Sequence, residues 1–312
     1  MDIKSLINKV IASKGILRVP SWWMKKLLTE IIEYIDSGDS ATSKNINTEI
    51  STINTEISHI KNISFPYMLV SGNGAVKIND DNIEFSNATK QLICITGPIK
   101  FTAGSNVSYV YIPHLDVRSQ GTNMERMFYH CTSLTSIDLS GFDTSSVTNM
   151  GGMFYQCSKL TSLDLSSFDT SSVTNMENMF FQCKALTSLD LSSFDTSSVT
   201  NMENMFFDCT SMTSLDLSGF DASSVTNMGG MFYQCSKLTS LDLSSFDTSS
   251  VTNMENMFHN CGSLTSLVLG PNFFKTSSVT NMDSMFLQCK ALTSLDLSGF
   301  DTSSVYSMYG MF

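Results

Sequence analysis

The chain is short of the residues that usually announce chemistry. Its four histidines, His59, His114, His130 and His259, share no common context. None of the eight cysteines falls in a C-x-x-C pair, and a zinc centre needs ligands that converge on one point. No apolar run approaches the roughly 18 residues of a bilayer crossing, so membrane insertion is not expected. Basic residues are scarce: 18 Lys and Arg stand against 29 Asp and Glu, a formal net charge of −11. Residues 107–312 carry seven basic against nineteen acidic side chains, which argues against nucleic acid as a partner, because phosphate binding needs clustered Lys and Arg. The opening "MDIKSLINKVIASKGILRVPSWW" is not expected to be an export signal. Lys9 and Lys14 interrupt its apolar run, no small-residue cleavage site follows, and no cysteine precedes Cys94.

What is present is a repeat. A half-unit beginning T-N-M starts at Thr122, Thr148, Thr174, Thr200, Thr226, Thr252 and Thr280, at steps of 26 residues with one step of 28. The two extra residues lie in "LGPNFFKTSSV", where a loop absorbs them. In one unit Val173, Met176, Met179, Phe180 and Cys183 have the spacing of one helix face, and Thr174 with Glu177 reads as a capping box, so a short buried-faced helix is expected there. Gly151-Gly152 and Gly229-Gly230 should weaken two of these helices. "LTSLDL" then alternates apolar and polar as a half-buried strand does, and "FDTSS" turns the chain, with Asp169 and Ser171 bonding their own backbone. The fold class expected is an α/β repeat, a solenoid of one parallel strand and one short helix per turn. The once-per-turn cysteines, Cys131 to Cys289, form a line of buried thiols rather than a metal site.

Copying of this kind does not build an active centre, which needs a unique convergence of nucleophile, base and stabiliser. Residues 148–173 and 226–251 are identical. We therefore expect no enzyme and no cofactor. The exposed strand positions form ladders: Asp138, Asp164, Asp190, Asp216, Asp242 and Asp296, with serine columns such as Ser162 and Ser166 on either side. At about 4.8 Å per rung the carboxylates repel. They must be solvated and bonded to the serines, or neutralised by cations, with Ca²⁺ along the ladder the one cofactor to consider. Ser, Thr and Asp ladders could also hydrogen-bond a glycan.

Four segments precede or make up this pattern. Residues 1–37 read as two amphipathic helices, the second with Trp22, Trp23, Leu27 and Ile31 as an anchor. Its apolar faces need another protein or a second copy. Residues 40–64 carry a heptad duplication whose seam is Ile46, Ile50, Ile53, Ile57 and Ile60. Isoleucine at both a and d favours a homotrimer, the other reading being a single helix packed on the body. Residues 65–106 alternate as β-strands around "NDDN" and would cap the solenoid, which occupies residues 107–312. Within it Val110, Ile112 and Leu115 take the places of the later Leu, Leu and Phe.

The unit C-x-x-L-x-x-L-x-L is close to the leucine-rich-repeat pattern. The whole unit, "TNMENMFFQCKALTSLDLSSFDTSSV" in its Thr174 copy, resembles the BspA-like bacterial surface-protein repeat over roughly the C-terminal two thirds of the chain. That resemblance implies a leucine-rich-repeat-like solenoid on an adhesive surface protein. The segment "SLINKVIASKGILRVPSWWMKKLLTEIIEYI" resembles the N-terminus of fibre proteins from phages of gut Bacteroidales, including crAss-like phages. Anchor, coiled coil, cap and repetitive module in that order, without an export signal, lead us to expect a virion-surface fibre. Its N-terminus would bind another virion structural protein and its repeats a host surface glycan or protein. The alternative is a BspA-like adhesin on the bacterial cell surface.

Overall fold

The structure is a computed structural model that describes residues 67–78, 81–94, 99–101, 106–111, 122–140 and 142–312. The anchor residues Trp22, Trp23, Leu27 and Ile31, and the seam Ile46, Ile50, Ile53, Ile57 and Ile60, lie outside the described residues.

Strands β1 (Tyr67–Ile78) and β2 (Asp81–Cys94) pair antiparallel, with Val76 opposite Ile83 and Ile78 opposite Asp81, so the hairpin closes across the expected "NDDN". β3 (Ile99–Phe101) and β4 (Asn106–Tyr111) both pair antiparallel with β1, over different parts of its length. The free edge of β4 pairs in parallel with β5 (Ser136–Asp138), Val110 lying opposite Ile137. An antiparallel sheet thereby offers a parallel edge to the first repeat. Val110 is fully buried in the place expected for it.

The T-N-M half is not helical. Among the described residues there is no α-helix, only a short 3-10 turn at Pro271–Phe274. Met176, Met179, Phe180 and Cys183 do face inward and are fully buried. The backbone that holds them is a ribbon of β-turns. Asn178 and Gln182 stand at φ 57° and 56°, left-handed values that an α-helix does not contain. Amides of Met179, Phe181 and Cys183 close turns onto the carbonyls of Met176, Asn178 and Phe180 at 3.1–3.2 Å. The amides between them, of Met176, Asn178, Phe180 and Gln182, leave the unit for the carbonyls of Asn201, Glu203, Met205 and Phe207 at 2.7–3.0 Å. Alternate peptide groups thus lie along the solenoid axis, C=O toward the preceding turn and N–H toward the next, as with Gly152 N–H to Glu177 O at 2.7 Å.

Four-residue turns return a side chain to one face every three or four residues, as a helix does, so the spacing of the inward set is shared by both conformations. The expected capping box is also absent. The Thr174 hydroxyl bonds the Thr148 carbonyl one turn back, and the Asn175 side chain takes the Glu177 amide at 3.0 Å. The glycine pairs are corrected likewise. Gly152 and Gly230 occupy the left-handed position at φ 58° and 61°, where glycine suffers no steric penalty.

The strand side is less continuous than expected. β6 (Ser188–Asp190) pairs only with β7 (Ser214–Asp216), and β8 (Ser240–Leu243) with β9 (Ser266–Leu269), all in parallel and in register. The unbroken ladder runs instead through the turn ribbon, from Asn123↔Asn149 to Asn281↔Ser307. One local competition explains the short strands. Each strand aspartate accepts the amide of the serine two residues on, as Asp164 does from Ser166 and Asp190 from Ser192 at 3.0 Å, removing the donor that would extend the strand.

Inside lies one apolar cluster. A column of phenylalanines, Phe128 to Phe312, stacks at centroid distances of 5.3–5.9 Å. In the longer unit Phe273 of the 3-10 turn fills the inward place, fully buried. Buried threonines join the turns, Thr196 Oγ1 donating to the Asp221 carbonyl at 2.8 Å.

Candidate ligand-binding face

The strands present one face outward. Register places Ser188 beside Ser214 and Asp190 beside Asp216, and Ser240 beside Ser266, so the serine and aspartate columns form as the alternation requires. The six ladder aspartates, Asp138, Asp164, Asp190, Asp216, Asp242 and Asp296, each accept their own serine's amide at 2.8–3.0 Å. These bonds favour the charged form. The Ser166 and Ser192 amides hold Asp164 and Asp190 below the usual carboxylate range, and the hydroxyls of Ser244 and Ser298 do so first for Asp242 and Asp296. The charge of Asp190 pushes Asp164 the other way, a smaller effect.

The carboxylates make a line, one per rung. Among the described residues no three His, Cys, Asp or Glu side chains gather where they could hold one metal ion. A second aspartate column runs beside the first through the turns. Asp169 and Asp195 accept both the amide and the hydroxyl of Ser171 and Ser197. Lys275 reaches this column at Asp247, 2.8 Å away, and holds that carboxyl down at about 2.

Over β6, β7 and β8 the face dips into an open depression of about 540 Å³ lined by Ser, Asp and Leu side chains, Ser188, Asp190, Ser214 and Asp216 among them. A smaller one of about 320 Å³ adjoins it across Ser162, Asp164, Ser166 and Ser188. One rung departs from the pattern: Val268 replaces aspartate opposite Asp242 and is 46% exposed.

Three features of the flanks went unread in the sequence. Half-buried asparagines form a column in which Asn201 Nδ2 bonds Glu177 at 3.2 Å, or, where glycine replaces Glu, Asn175 bonds Asn149 directly at 3.2 Å. The signal was the invariant second letter of T-N-M. Outside the phenylalanine column a second aromatic stack runs Tyr129, Tyr155, Phe181, Phe207, Tyr233, His259 at 4.3–4.8 Å. The residue after each inward Phe announced it. Third, Gln156 donates to Gln182 and Gln182 to Asp208, which also takes Lys184 at 2.8 Å.

The thiols are inert by position. Cys131, Cys157, Cys183, Cys209, Cys235, Cys261 and Cys289 are free. Each Sγ–H from Cys157 onward donates to a phenylalanine carbonyl of the preceding unit, at 3.1–3.3 Å. Burial pushes Cys131, Cys183 and Cys235 up to about 12.

Stacked parallel turns with an in-register polar face over a single-file core define a leucine-rich-repeat-like solenoid. Residues 122–240, 188–272 and 237–312 match the family described as Mycoplasma protein of unknown function, DUF285. Those matches together span more than half of the sequence, and the chain belongs to that family. Among solved structures, the Treponema pallidum leucine-rich-repeat protein is 18% identical, with 61% of this chain and 86% of that chain covered and a TM-score of 0.34. The functional domain of InlJ from Listeria monocytogenes, which includes a cysteine ladder, is 17% identical over 63% of this chain and 55% of that chain, with a TM-score of 0.16. No curated protein matches the sequence.

Proposed function

We propose that the chain is a non-enzymatic attachment protein of a virion fibre or appendage, docked to another virion protein through its N-terminus and binding the host surface through its repeats. The observation that carries the reading is the strand face. Turn after turn it exposes the same serine–aspartate rungs, dipping into an open trough of about 540 Å³, above a core that spends its other side chains on stacking. A surface so copied suits extended contact better than the conversion of one substrate.

The order of parts in the sequence supports the virion end. Trp22, Trp23, Leu27 and Ile31 supply an apolar dock, and Ile46, Ile50, Ile53, Ile57 and Ile60 a trimer seam. Immunogold labelling of thin sections tests the assignment. Label on phage particles is expected. Label confined to bacterial envelopes would overturn it in favour of a BspA-like adhesin. The trimer is tested separately by sedimentation of an Ile53→Asn, Ile57→Asn double variant, expected to lose its oligomeric state while its repeats stay folded. A double variant that remains trimeric would show that the seam does not hold the chains together.

A further inference from the structure

We propose that the strand face holds an uncharged linear polysaccharide lying along the solenoid axis, running from the trough over β6 to β8 onto the adjoining rung, where Val268 is its apolar contact. The inference rests on the attachment reading above and names the partner's class.

Periodicity comes first. Rungs such as Asp190 and Asp216 are in register and repeat at about 4.8 Å, and the units at 148–173 and 226–251 are identical. A partner that engages several equivalent rungs must itself repeat, as a polymer does and a single small molecule does not.

The chemistry of the rungs comes second. Each aspartate already accepts its own serine's amide through Oδ1, Asp216 from Ser218 at 2.9 Å and Asp242 from Ser244 at 2.8 Å. A carboxylate has lone pairs for further donors, and the serine hydroxyls of the other column, such as Ser188 and Ser214, can both donate and accept. That complements a chain of sugar hydroxyls. A polyanion is repelled by the aspartate line, since no Lys or Arg lines the trough.

Val268 decides between a neutral chain and a cationic one. Among the described residues from Thr122 to Val305 it is the exposed large apolar side chain. It stands in the aspartate column, opposite Asp242. A polycation would gain from an unbroken acidic line, whereas a sugar ring carries both a hydroxyl edge and a C–H face, and an apolar rung suits that face.

The test immobilises the neutral polysaccharides mannan, xylan and dextran beside heparin as a polyanion and chitosan as a polycation, and passes the full chain over each. Retention on at least one neutral polysaccharide is expected, holding between about 0.1 and 1 M salt because no ion pairs are involved. Val268→Asp restores the residue of the other rungs and should fold with an unchanged melting profile, yet bind about tenfold more weakly, a loss of about 1.4 kcal/mol. Asp216→Ala should weaken binding similarly. Binding to chitosan or heparin alone, to none of the panel, or undiminished binding by both variants would overturn the proposal. Host-cell binding read before and after periodate separates the two levels. Binding that survives periodate and is lost to protease refutes the polysaccharide and leaves attachment standing, while absence of binding to cells, together with no label on particles, refutes attachment itself.

Discussion

Cys183 donates its Sγ–H to the Phe154 carbonyl at 3.3 Å while sitting fully buried, and burial pushes its thiol up to about 12. A thiol reagent should therefore label the native protein slowly at the six buried repeat cysteines, Cys131 to Cys261, faster at half-buried Cys289, and completely once it is denatured; rapid native labelling of the six would contradict their burial. The same burial sets an alkaline limit. Because the folded pKa lies above the unfolded 9.0, the stabilisation is complete below pH 9 and declines from there toward about 12, so urea midpoints should fall as pH rises through that range. Asp247 acts at the other end. Lys275 and Ser249 lower it from 3.8 to about 2, so its contribution is present above about pH 4 and lost toward pH 2. A Lys275→Met variant should lose part of that acid dependence. In the core, Leu189 is 4% exposed, and Leu189→Ala should lower stability by roughly 2–5 kcal/mol in chemical denaturation.

At the scale of the element, the turn ribbon makes demands that a helix would not. Gly230 stands at φ 61°, and a Cβ there would lie 2.2 Å from Asn204 Oδ1. Gly230→Ala should therefore cost about 1–3 kcal/mol, the range of a residue forced into a sparse backbone region, read from the denaturation midpoint. Were this segment helical the same change would stabilise by about 1 kcal/mol, so the sign of the effect distinguishes the two. Asn201 has a double role, its Oδ1 taking the Glu203 amide at 3.0 Å and its Nδ2 reaching Glu177 at 3.2 Å. Asn201→Ala should cost about 1–3 kcal/mol by leaving those groups unpaired.

For the whole molecule, stability is spread along the axis. Turns bond to their neighbours, as Thr200 N–H bonds the Thr174 carbonyl at 2.9 Å, and each inward ring stacks on the next. A chain of this kind gains and loses stability by the unit. Removing residues 226–251, identical to 148–173, joins Val225 to Thr252 in register. The shortened protein should fold with unchanged circular dichroism per residue and a lower melting temperature. Collapse to an unfolded chain would mean that the odd unit containing Pro271–Phe274 depends on that particular neighbour.

Period, inward residues and outward columns were legible in the sequence, because each needs only a residue's own polarity and its place in the unit. Met176, Met179, Phe180 and Cys183 face inward whether the backbone is a helix or a run of turns, and Asp190 faces outward from any strand at that register. The conformation of the T-N-M half was settled only by tertiary structure. The Asn178 amide bonds Glu203, 25 residues on, and no local pattern displays a partner so distant. Strand length was settled in the same way, by whether the Ser192 amide served the neighbouring strand or the Asp190 carboxylate beside it. The trough, too, exists only once the turns are stacked, since its walls come from several of them.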